Sequence, residues 1–413
     1  MNTHHLRVAT PQGAAGDLSE EHGQYLFGYG SASAAAAVSL TMPVRMAQYA
    51  HATLHPIFQM NLPEGFLLEE LQNRLAKIVN LEPILLLALS GGQSPIGRVA
   101  VQSDFVNPLA GSQGKGERLS DILAWDGTEN LFTELVDKYI YRSGISGVQP
   151  KVLVPQVIEP PAMASHVTAP HVMVSPPTKA TVLTQDLIVK SGRQEYPGLA
   201  ANEFLCMSIA KASGLAVPEF YLSKNQELFV MQRFDRAPDG TPIGFEDMAV
   251  LAGFSSREKY KTSYTHIAKL VEAFVSGPNV APSLQTLFDM VALSCIVGNG
   301  DAHLKNFGLL YTDPTTSDCT LAPAFDIVNT TAYIPEDVLA LDLCGHKSFF
   351  SARLGLLDFA KVCRVANPRD RVQRLILTAE MVIRREAEVA ASIPQVVAAI
   401  QHCTDMLKEV FFD

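Results

Sequence analysis

Residues 298–306 read Gly-Asn-Gly-Asp-Ala-His-Leu-Lys-Asn, and they follow a long apolar segment. In that segment, residues 284–297, apolar side chains recur at helical spacing. Glycine tolerates the left-handed backbone that ends many helices, so Gly298 and Gly300 predict the end of a helix and the start of a loop. The loop then presents the carboxylate of Asp301 and, five residues later, the amide of Asn306.

A second carboxylate follows in Ala324-Phe325-Asp326-Ile327, and residues 307–321 between the two predict a β-hairpin. Phosphoryl transfer uses such a set: one Asp orients or accepts the hydroxyl proton, while an Asn and a second Asp hold magnesium over the phosphates. The Asp-x-x-x-x-Asn spacing is that of the kinase catalytic loop. Asp-rich loops after helices are also common as simple caps, so the motif needs support from elsewhere in the chain.

The composition is that of a globular protein long enough for two domains. The chain has 413 residues, of which 47% are hydrophobic and 18% charged, and its formal net charge is −10. This acidic balance argues against nucleic-acid binding by the chain alone over a broad basic surface. The six cysteines show no Cys-x-x-Cys pair and predict reduced core thiols. We expect neither a signal peptide nor a membrane span, and a cytoplasmic location.

Three regions are predicted along the chain. Residues 1–130 indicate a small α+β module with a connector, residues 131–235 a β-rich lobe, and residues 236–413 a helical lobe with the catalytic loop. A nucleotide cleft is expected between the last two. In finer detail, residues 1 to roughly 30 are predicted to be irregular before a strand at 24–29, residues 138–154 to form a strand–loop–strand, and residues 157–184 to be an exposed, mobile insertion.

Three other segments carry chemistry that fits such a cleft. Lys190 ends the strand Leu187-Ile188-Val189-Lys190, where a lysine can meet nucleotide phosphates, and Glu203 on the next helix is its predicted counter-ion. The loop at 146–151 has a glycine for close backbone approach and Lys151 for charge. The strand end at 229–236 lies at the lobe boundary, where adenine would bind. Taken alone, the lysine is more typical of a surface residue and the loop of a plain β-turn, and the strand end is also typical of an ordinary strand.

Together these motifs resemble the HipA family of bacterial serine/threonine kinases, whose members are toxins of type II toxin–antitoxin pairs. The resemblance rests on Ile-Ser-Gly-Val-Gln-Pro-Lys at 145–151, Arg-Phe-Asp-Arg at 233–236, Phe-Glu-Asp-Met at 245–248, Gly-Asp-Ala-His-Leu-Lys-Asn at 300–306 and Phe325-Asp326. Residues 39–43 and 60–65 resemble the N-terminal subdomain of that family. The resemblance implies an α+β, two-lobed protein-kinase-like fold with a small N-terminal α+β subdomain and a mostly helical C-terminal lobe.

The resemblance also implies a role for each candidate side chain. Asp301 would be the catalytic base, and Asn306 and Asp326 would bind Mg²⁺. The other candidates would contact ATP: Ser146, Gly147, Val148, Gln149 and Lys151 of the covering loop, Lys190, the hinge residues Gln232, Arg233 and Phe234, and His303 and Lys305 of the catalytic loop. Family members bind a small helix-turn-helix antitoxin, which would carry the contact with operator DNA. They phosphorylate a protein, in known cases an aminoacyl-tRNA synthetase.

Many family members silence themselves by phosphorylating a serine two residues before the position of Ser146, where this chain has Gly144. Ser146 is therefore the predicted autophosphorylation site, with Ser143 as an alternative; a further alternative is that neither is modified and the antitoxin alone controls activity. Two rival functions also stay open. One is a small-molecule kinase of the aminoglycoside-phosphotransferase type with an acidic pocket, and the other is a non-catalytic co-repressor.

Overall fold

The structure is a computed structural model that describes residues 5–75, 81–90, 92, 94–103, 116–127, 130–147, 149–157, 184–192 and 194–412. Val148 and most of the predicted insertion, residues 158–183, lie outside the described residues. The same holds for residues 104–115 of the predicted connector, whose described part contains one short helix, α4.

The N-terminal region is built on a five-stranded antiparallel sheet in the order β4-β3-β2-β1-β5. Its elements are β1 (His5–Thr10), β2 (Gly13–Glu21), β3 (Gln24–Tyr29), β4 (Tyr49–His51), α1 (Pro56–Gln59), α2 (Gly65–Leu75), α3 (Pro83–Ser90) and β5 (Ala100–Gln102), followed by α4 (Leu119–Leu123). The prediction of an irregular start was wrong. Leu6 and Val8 alternate with outward-facing residues in β1, but the small residues of β2 conceal the same alternation in the strand that pairs with it.

A second antiparallel sheet, in the order β6-β7-β9-β8, carries the candidate lysines. Its elements are α5 (Leu131–Tyr139), β6 (Lys151–Val157), β7 (Thr184–Ser191), α6 (Leu199–Ala212), β8 (Phe220–Leu222) and β9 (Leu228–Gln232). The register places Lys151 opposite Lys190. The prediction of a strand starting near residue 138 was wrong, because residues 131–139 bury Phe132, Leu135 and Val136 at helical spacing in α5.

The C-terminal region is mostly helical, as predicted, but it also holds a third sheet in the order β10-β11-β12. Its elements are β10 (Gly244–Asp247), α7 (Met248–Leu251), α8 (Tyr264–Phe274), α9 (Val280–Val297), β11 (Gly308–Tyr311), β12 (Thr320–Leu321), α10 (Phe349–Val362), α11 (Pro368–Arg385), α12 (Ala387–Ser392) and α13 (Pro394–Phe411). The predicted hairpin is confirmed by the pairing of β11 with β12, whereas β10 was not expected. Among the described residues, Gly277–Val297 alone is long and apolar enough to cross a membrane, but 72% of its most apolar stretch is buried, as in a core helix.

Buried polar contacts fix the N-terminal sheet to the other two regions. The carboxylate of Glu246 in β10 accepts hydrogen bonds from Ser39 Oγ (2.6 Å), the Leu40 backbone N–H (2.7 Å) and Tyr311 Oη (2.5 Å). The buried guanidinium of Arg233 donates to Asp235 Oδ1 (2.8 Å) and to the carbonyl of Pro95 (2.5 Å). The N-terminal region is therefore held by charge-assisted hydrogen bonds as well as by apolar contact.

Gly298 ends α9 with a φ of +69°, and a Cβ added there would lie 2.6 Å from Thr331 Oγ1 and 2.8 Å from Asn329 Nδ2. We expect Gly298→Ala to lower the free energy of unfolding, by about 1–2 kcal/mol for the left-handed backbone and further for the displaced neighbours. Gly253→Ala is the matched control, because Gly253 has a φ of +72° and open space around it. Urea unfolding measures both variants, and equal losses would contradict this packing around Gly298.

Candidate active site

The candidate site is a cleft of about 650 Å³ lined by residues from all three regions. This volume lies within the range of small-molecule and cofactor sites, about 300–1,000 Å³. Most predicted site residues line it: Ser146, Gly147, Gln149, Lys151, Lys190, Arg233, Phe234, Asp301, His303, Lys305, Asn306 and Asp326. Gln232 does not line the cleft, although Met231 before it in β9 does, because successive side chains in a strand point to opposite faces; beyond the strand, Arg233 and Phe234 both line it.

The candidate catalytic loop, residues 298–306, begins where Gly298 ends α9, and side-chain oxygens hold its backbone. The Asp301 N–H donates to Asn299 Oδ1 (3.0 Å), and the Gly300 N–H donates to Thr330 Oγ1 (2.8 Å). A 3₁₀ turn, Leu304–Asn306, then carries Asn306 into the cleft. The loop thus presents Asp301 and Asn306 from a fixed backbone.

Asp301 has the environment of a general base. Its side chain is 40% exposed to the cleft, and its Oδ1 accepts a hydrogen bond of 2.6 Å from the hydroxyl of Tyr260. Burial raises the pKa of Asp301 above its ordinary value, although the Tyr260 hydrogen bond and the nearby Lys259 ammonium oppose this rise. A raised pKa makes the ionised carboxylate a better proton acceptor.

Lys190 lies at the centre of a buried cluster of charges. Its Nζ lies 2.5 Å from Glu203 Oε1, which confirms the predicted ion pair, and it also bonds Asp326 Oδ1. Burial opposes ionisation of Asp326, but Lys190 and Lys151 hold the pKa of Asp326 below its usual range. Burial lowers the pKa of Lys151, which lies opposite Lys190 in the sheet. Two ammonium groups close to one carboxylate form a site suited to polyphosphate.

The side chains around Asp326 could supply oxygen ligands for magnesium and hydrogen-bond donors for a nucleotide. Asp326 has a φ of +58°, a left-handed backbone that is uncommon outside glycine and often found at functional sites. Asn306 Nδ2 donates to the backbone carbonyl of Asp326 (3.4 Å), so two residues whose side chains carry the amide and carboxylate oxygens that Mg²⁺ prefers are in contact. Burial lowers the pKa of His303 to about 3, and its buried Nδ1 has no hydrogen-bond partner among the described residues. This neutral ring can donate an N–H to a phosphate oxygen.

Glu64, which the sequence analysis did not single out, joins three parts of the site. Its carboxylate accepts a hydrogen bond from the Gly147 N–H (3.1 Å) of the covering loop and from Lys305 Nζ (2.9 Å) of the catalytic loop. Gly147 has a φ of +114°, which side chains rarely adopt, and a Cβ there would displace Lys151 Nζ, which would lie 2.5 Å away, so the position favours glycine. In the sequence, residues 60–65 stand out only by their resemblance to a family motif, and no spacing ties Glu64 to Lys305.

The two candidate serines for self-phosphorylation, Ser146 and Ser143, and Gly144 between them differ in their surroundings. Gly144 is packed so closely that a Cβ would lie 2.9 Å from the Ser90 carbonyl and 3.0 Å from the Asn61 carbonyl. Ser143 is fully buried, and its hydroxyl donates to the Tyr139 carbonyl (2.9 Å) and accepts from the Leu153 N–H (3.0 Å). Ser146 is partly exposed and lines the cleft. Of the two serines, Ser146 is therefore the accessible one in this conformation.

Two domain families, which describe the two ends of one kind of protein, match the chain. The HipA-like C-terminal domain matches residues 143–400, and the HipA N-terminal domain matches residues 6–102. The first span contains every candidate site residue, while the second contains Glu64 and the five-stranded sheet.

Individual proteins are also similar to this chain. A Sinorhizobium fredii protein named "Putative kinase Y4dM" is 31% identical over 215 residues, which is 48% of this chain and 50% of the relative. A Haemophilus influenzae protein named "Putative kinase" is 32% identical over 180 residues, which is 39% of this chain and 50% of the relative. The chain thus spans about half the length of the curated relatives it matches.

Among solved structures, a chain in the Shewanella oneidensis MR-1 complex of the toxin–antitoxin system HipA, HipB and its operator DNA is similar over 98% of this chain and 96% of its own length. The TM-score is 0.67 and the sequence identity is 19%. At this identity the likeness shows the fold, and it confirms the predicted α+β, two-lobed, kinase-like architecture with an N-terminal subdomain.

Proposed function

The chain belongs to the HipA family, and we propose that it is an ATP- and Mg²⁺-dependent serine/threonine protein kinase and the toxin of a type II toxin–antitoxin pair. The observation that carries this proposal is the convergence in one cleft of Asp301, the Lys190–Glu203 pair, and the oxygen ligands of Asn306 and Asp326. Phosphoryl transfer depends mainly on positioning and charge neutralisation, and these groups supply both.

In this mechanism each side chain has one task. Asp301 orients the acceptor hydroxyl and accepts its proton as the phosphoryl group is transferred. Lys190 and Lys151 bind the phosphates, while Glu203 holds Lys190 in place. Asn306 and Asp326 would hold Mg²⁺, which would supply positive charge to the phosphate oxygens.

The lining of the cleft favours a protein acceptor over a small cationic one. A cationic sugar requires an acidic pocket, but the charged lining residues are six acids and six bases: Glu64, Asp235, Asp247, Asp301, Asp326 and Asp337 against Lys151, Lys190, Arg233, Lys259, Lys305 and Lys347. Of the ten large apolar side chains exposed among the described residues, four line this cleft, namely Tyr196, Tyr260, Ile334 and Val338. An exposed apolar rim around a catalytic base suits a polypeptide.

The proposed partner is a small helix-turn-helix antitoxin similar to HipB, which is named in the complex of the related HipA. The net charge of −10 agrees with a division of labour in which a basic antitoxin contacts operator DNA. The proposed substrate is a translation component such as an aminoacyl-tRNA synthetase, reached in the cytoplasm.

A transfer assay with γ-labelled ATP and Mg²⁺ tests the proposal, with proteins of a cell lysate and an aminoglycoside as separate acceptors. We expect label on protein serine or threonine, abolished by EDTA, together with an ATP-dependent rise in melting temperature. Label only on the aminoglycoside would favour the small-molecule kinase. If there is no transfer and no thermal shift, the non-catalytic co-repressor would be favoured.

The same reaction tests self-regulation at Ser146. A phosphate carries about −1.5 to −2 charges at neutral pH, and on Ser146 it would occupy the phosphate side of the cleft beside Lys151. We expect mass spectrometry to find phosphate on Ser146, with ATP binding lost in that fraction and retained in Ser146→Ala. An active enzyme whose loop stays unmodified after long incubation would exclude this form of control.

A further inference from the structure

Tyr260 contacts the candidate catalytic base directly, and no sequence motif had marked it. Its hydroxyl donates to Oδ1 of Asp301 at 2.6 Å, and its ring meets the His303 ring edge-on at a centroid distance of 5.1 Å. Oδ2 of Asp301 accepts no hydrogen bond from the described residues. The two oxygens of this carboxylate therefore have different surroundings.

The backbone around Tyr260 is tied to the catalytic loop on both sides. Before it, the Lys259 carbonyl accepts a hydrogen bond from the Leu304 N–H (3.2 Å). After it, the buried hydroxyl of Tyr264 donates to the Ala302 carbonyl (3.0 Å). Tyr260 is thus anchored to the same loop that carries Asp301, although its own side chain is 46% exposed.

We propose that Tyr260 is a positioning residue for the catalytic base: its hydroxyl holds Oδ1 of Asp301 so that Oδ2 faces the acceptor hydroxyl. The torsion of a carboxylate about its last bond is broad, so a hydrogen bond to one oxygen selects the direction of the other. A misdirected base lowers the rate of transfer without weakening nucleotide binding. This inference rests on the proposed kinase function.

Tyr260→Phe tests the role because it keeps the ring and removes only the donor. We expect kcat to fall by about 10-fold or more, since a hydrogen bond to a charged group is lost, while the KM for ATP changes little. In the wild type the Tyr260 hydrogen bond lowers the pKa of Asp301. Its removal should raise that pKa, so the acid limb of the pH–rate profile should move to higher pH. The charged and titratable groups that face Asp301 are Tyr260, Lys259, His303, Lys151 and Asp326, and the last four are unchanged in this variant.

Tyr221→Phe is the control, because Tyr221 lies in β8 outside the cleft. Thermal melting with and without Mg·ATP establishes that both variants fold and bind nucleotide. An unchanged kcat and pH profile in Tyr260→Phe would overturn the inference, and so would a change only in the KM for ATP. In either case, an active wild-type enzyme would still support the kinase function. Phosphate found on Tyr260 itself would also overturn it, because the hydroxyl would then be an acceptor. A wild-type protein that transfers no phosphate would contradict the proposed kinase function and, with it, the role of Tyr260.

Discussion

Asp301→Asn is expected to transfer phosphate about 10²–10⁴-fold more slowly than the wild type, the usual contribution of a general base. The substitution keeps the shape of the side chain but removes the carboxylate that is proposed to accept the proton. ATP binding should persist, because the lysines proposed to bind phosphate and the proposed magnesium ligands are intact. Because transfer would be so slow, expression of the variant should no longer arrest growth.

Single-turnover transfer and ATP-dependent melting measure the two halves of this expectation separately. Asp358→Asn is a matched control, because Asp358 is an exposed carboxylate on α10 whose partner is Lys361. It should transfer phosphate at the wild-type rate. Equal rates in Asp301→Asn and the wild type would rule out Asp301 as the base, whatever the assay shows about ATP.

The parts of the site that the sequence predicted are those set by local spacing. Asp301 and Asn306 belong to one loop. The helix before it ends at Gly298 because glycine readily adopts the left-handed backbone that ends helices, and a glycine can be read from the sequence. Lys190 and Glu203 pair because a strand is followed directly by a helix that packs against it. In each case the partners are close in the chain, so element type and order are enough to bring them together.

The parts that the sequence did not predict depend on contacts between distant residues. Glu64 and Lys305 are 241 residues apart, and Tyr260 and Asp301 are 41 apart, so no periodicity links them. Gln232 shows a different limit: the strand was predicted correctly, but the face that its residues present to the cleft was not. A shift of one residue along an extended chain reverses which side chains line a site.

Asp326→Ala should remove the response of the protein to magnesium. Asp326 is a proposed hard oxygen ligand, and its loss would leave Mg²⁺ held by Asn306 and the phosphates alone. A ligand at 100 times its Kd stabilises the folded state by about 2.7 kcal/mol, so weaker Mg·ATP binding appears directly as a smaller rise in melting temperature. We expect the rise with Mg·ATP in this variant to shrink to the rise seen with ATP and EDTA, and transfer to fall at least as far as in Asp301→Asn.

Asp326 also bonds Lys190, so the loss of an ion pair must be separated from the loss of a metal ligand. Melting without nucleotide isolates the ion pair, which is a property of the protein alone. Glu203→Gln is the second control, because it weakens the other partner of Lys190 and leaves the oxygens of Asp326 and Asn306 in place. If magnesium dependence survives in Glu203→Gln and disappears in Asp326→Ala, the carboxylate acts as a metal ligand. If wild-type protein melts identically with Mg·ATP and with ATP and EDTA, Asn306 and Asp326 do not hold the metal, and the oxygen pair has a structural role.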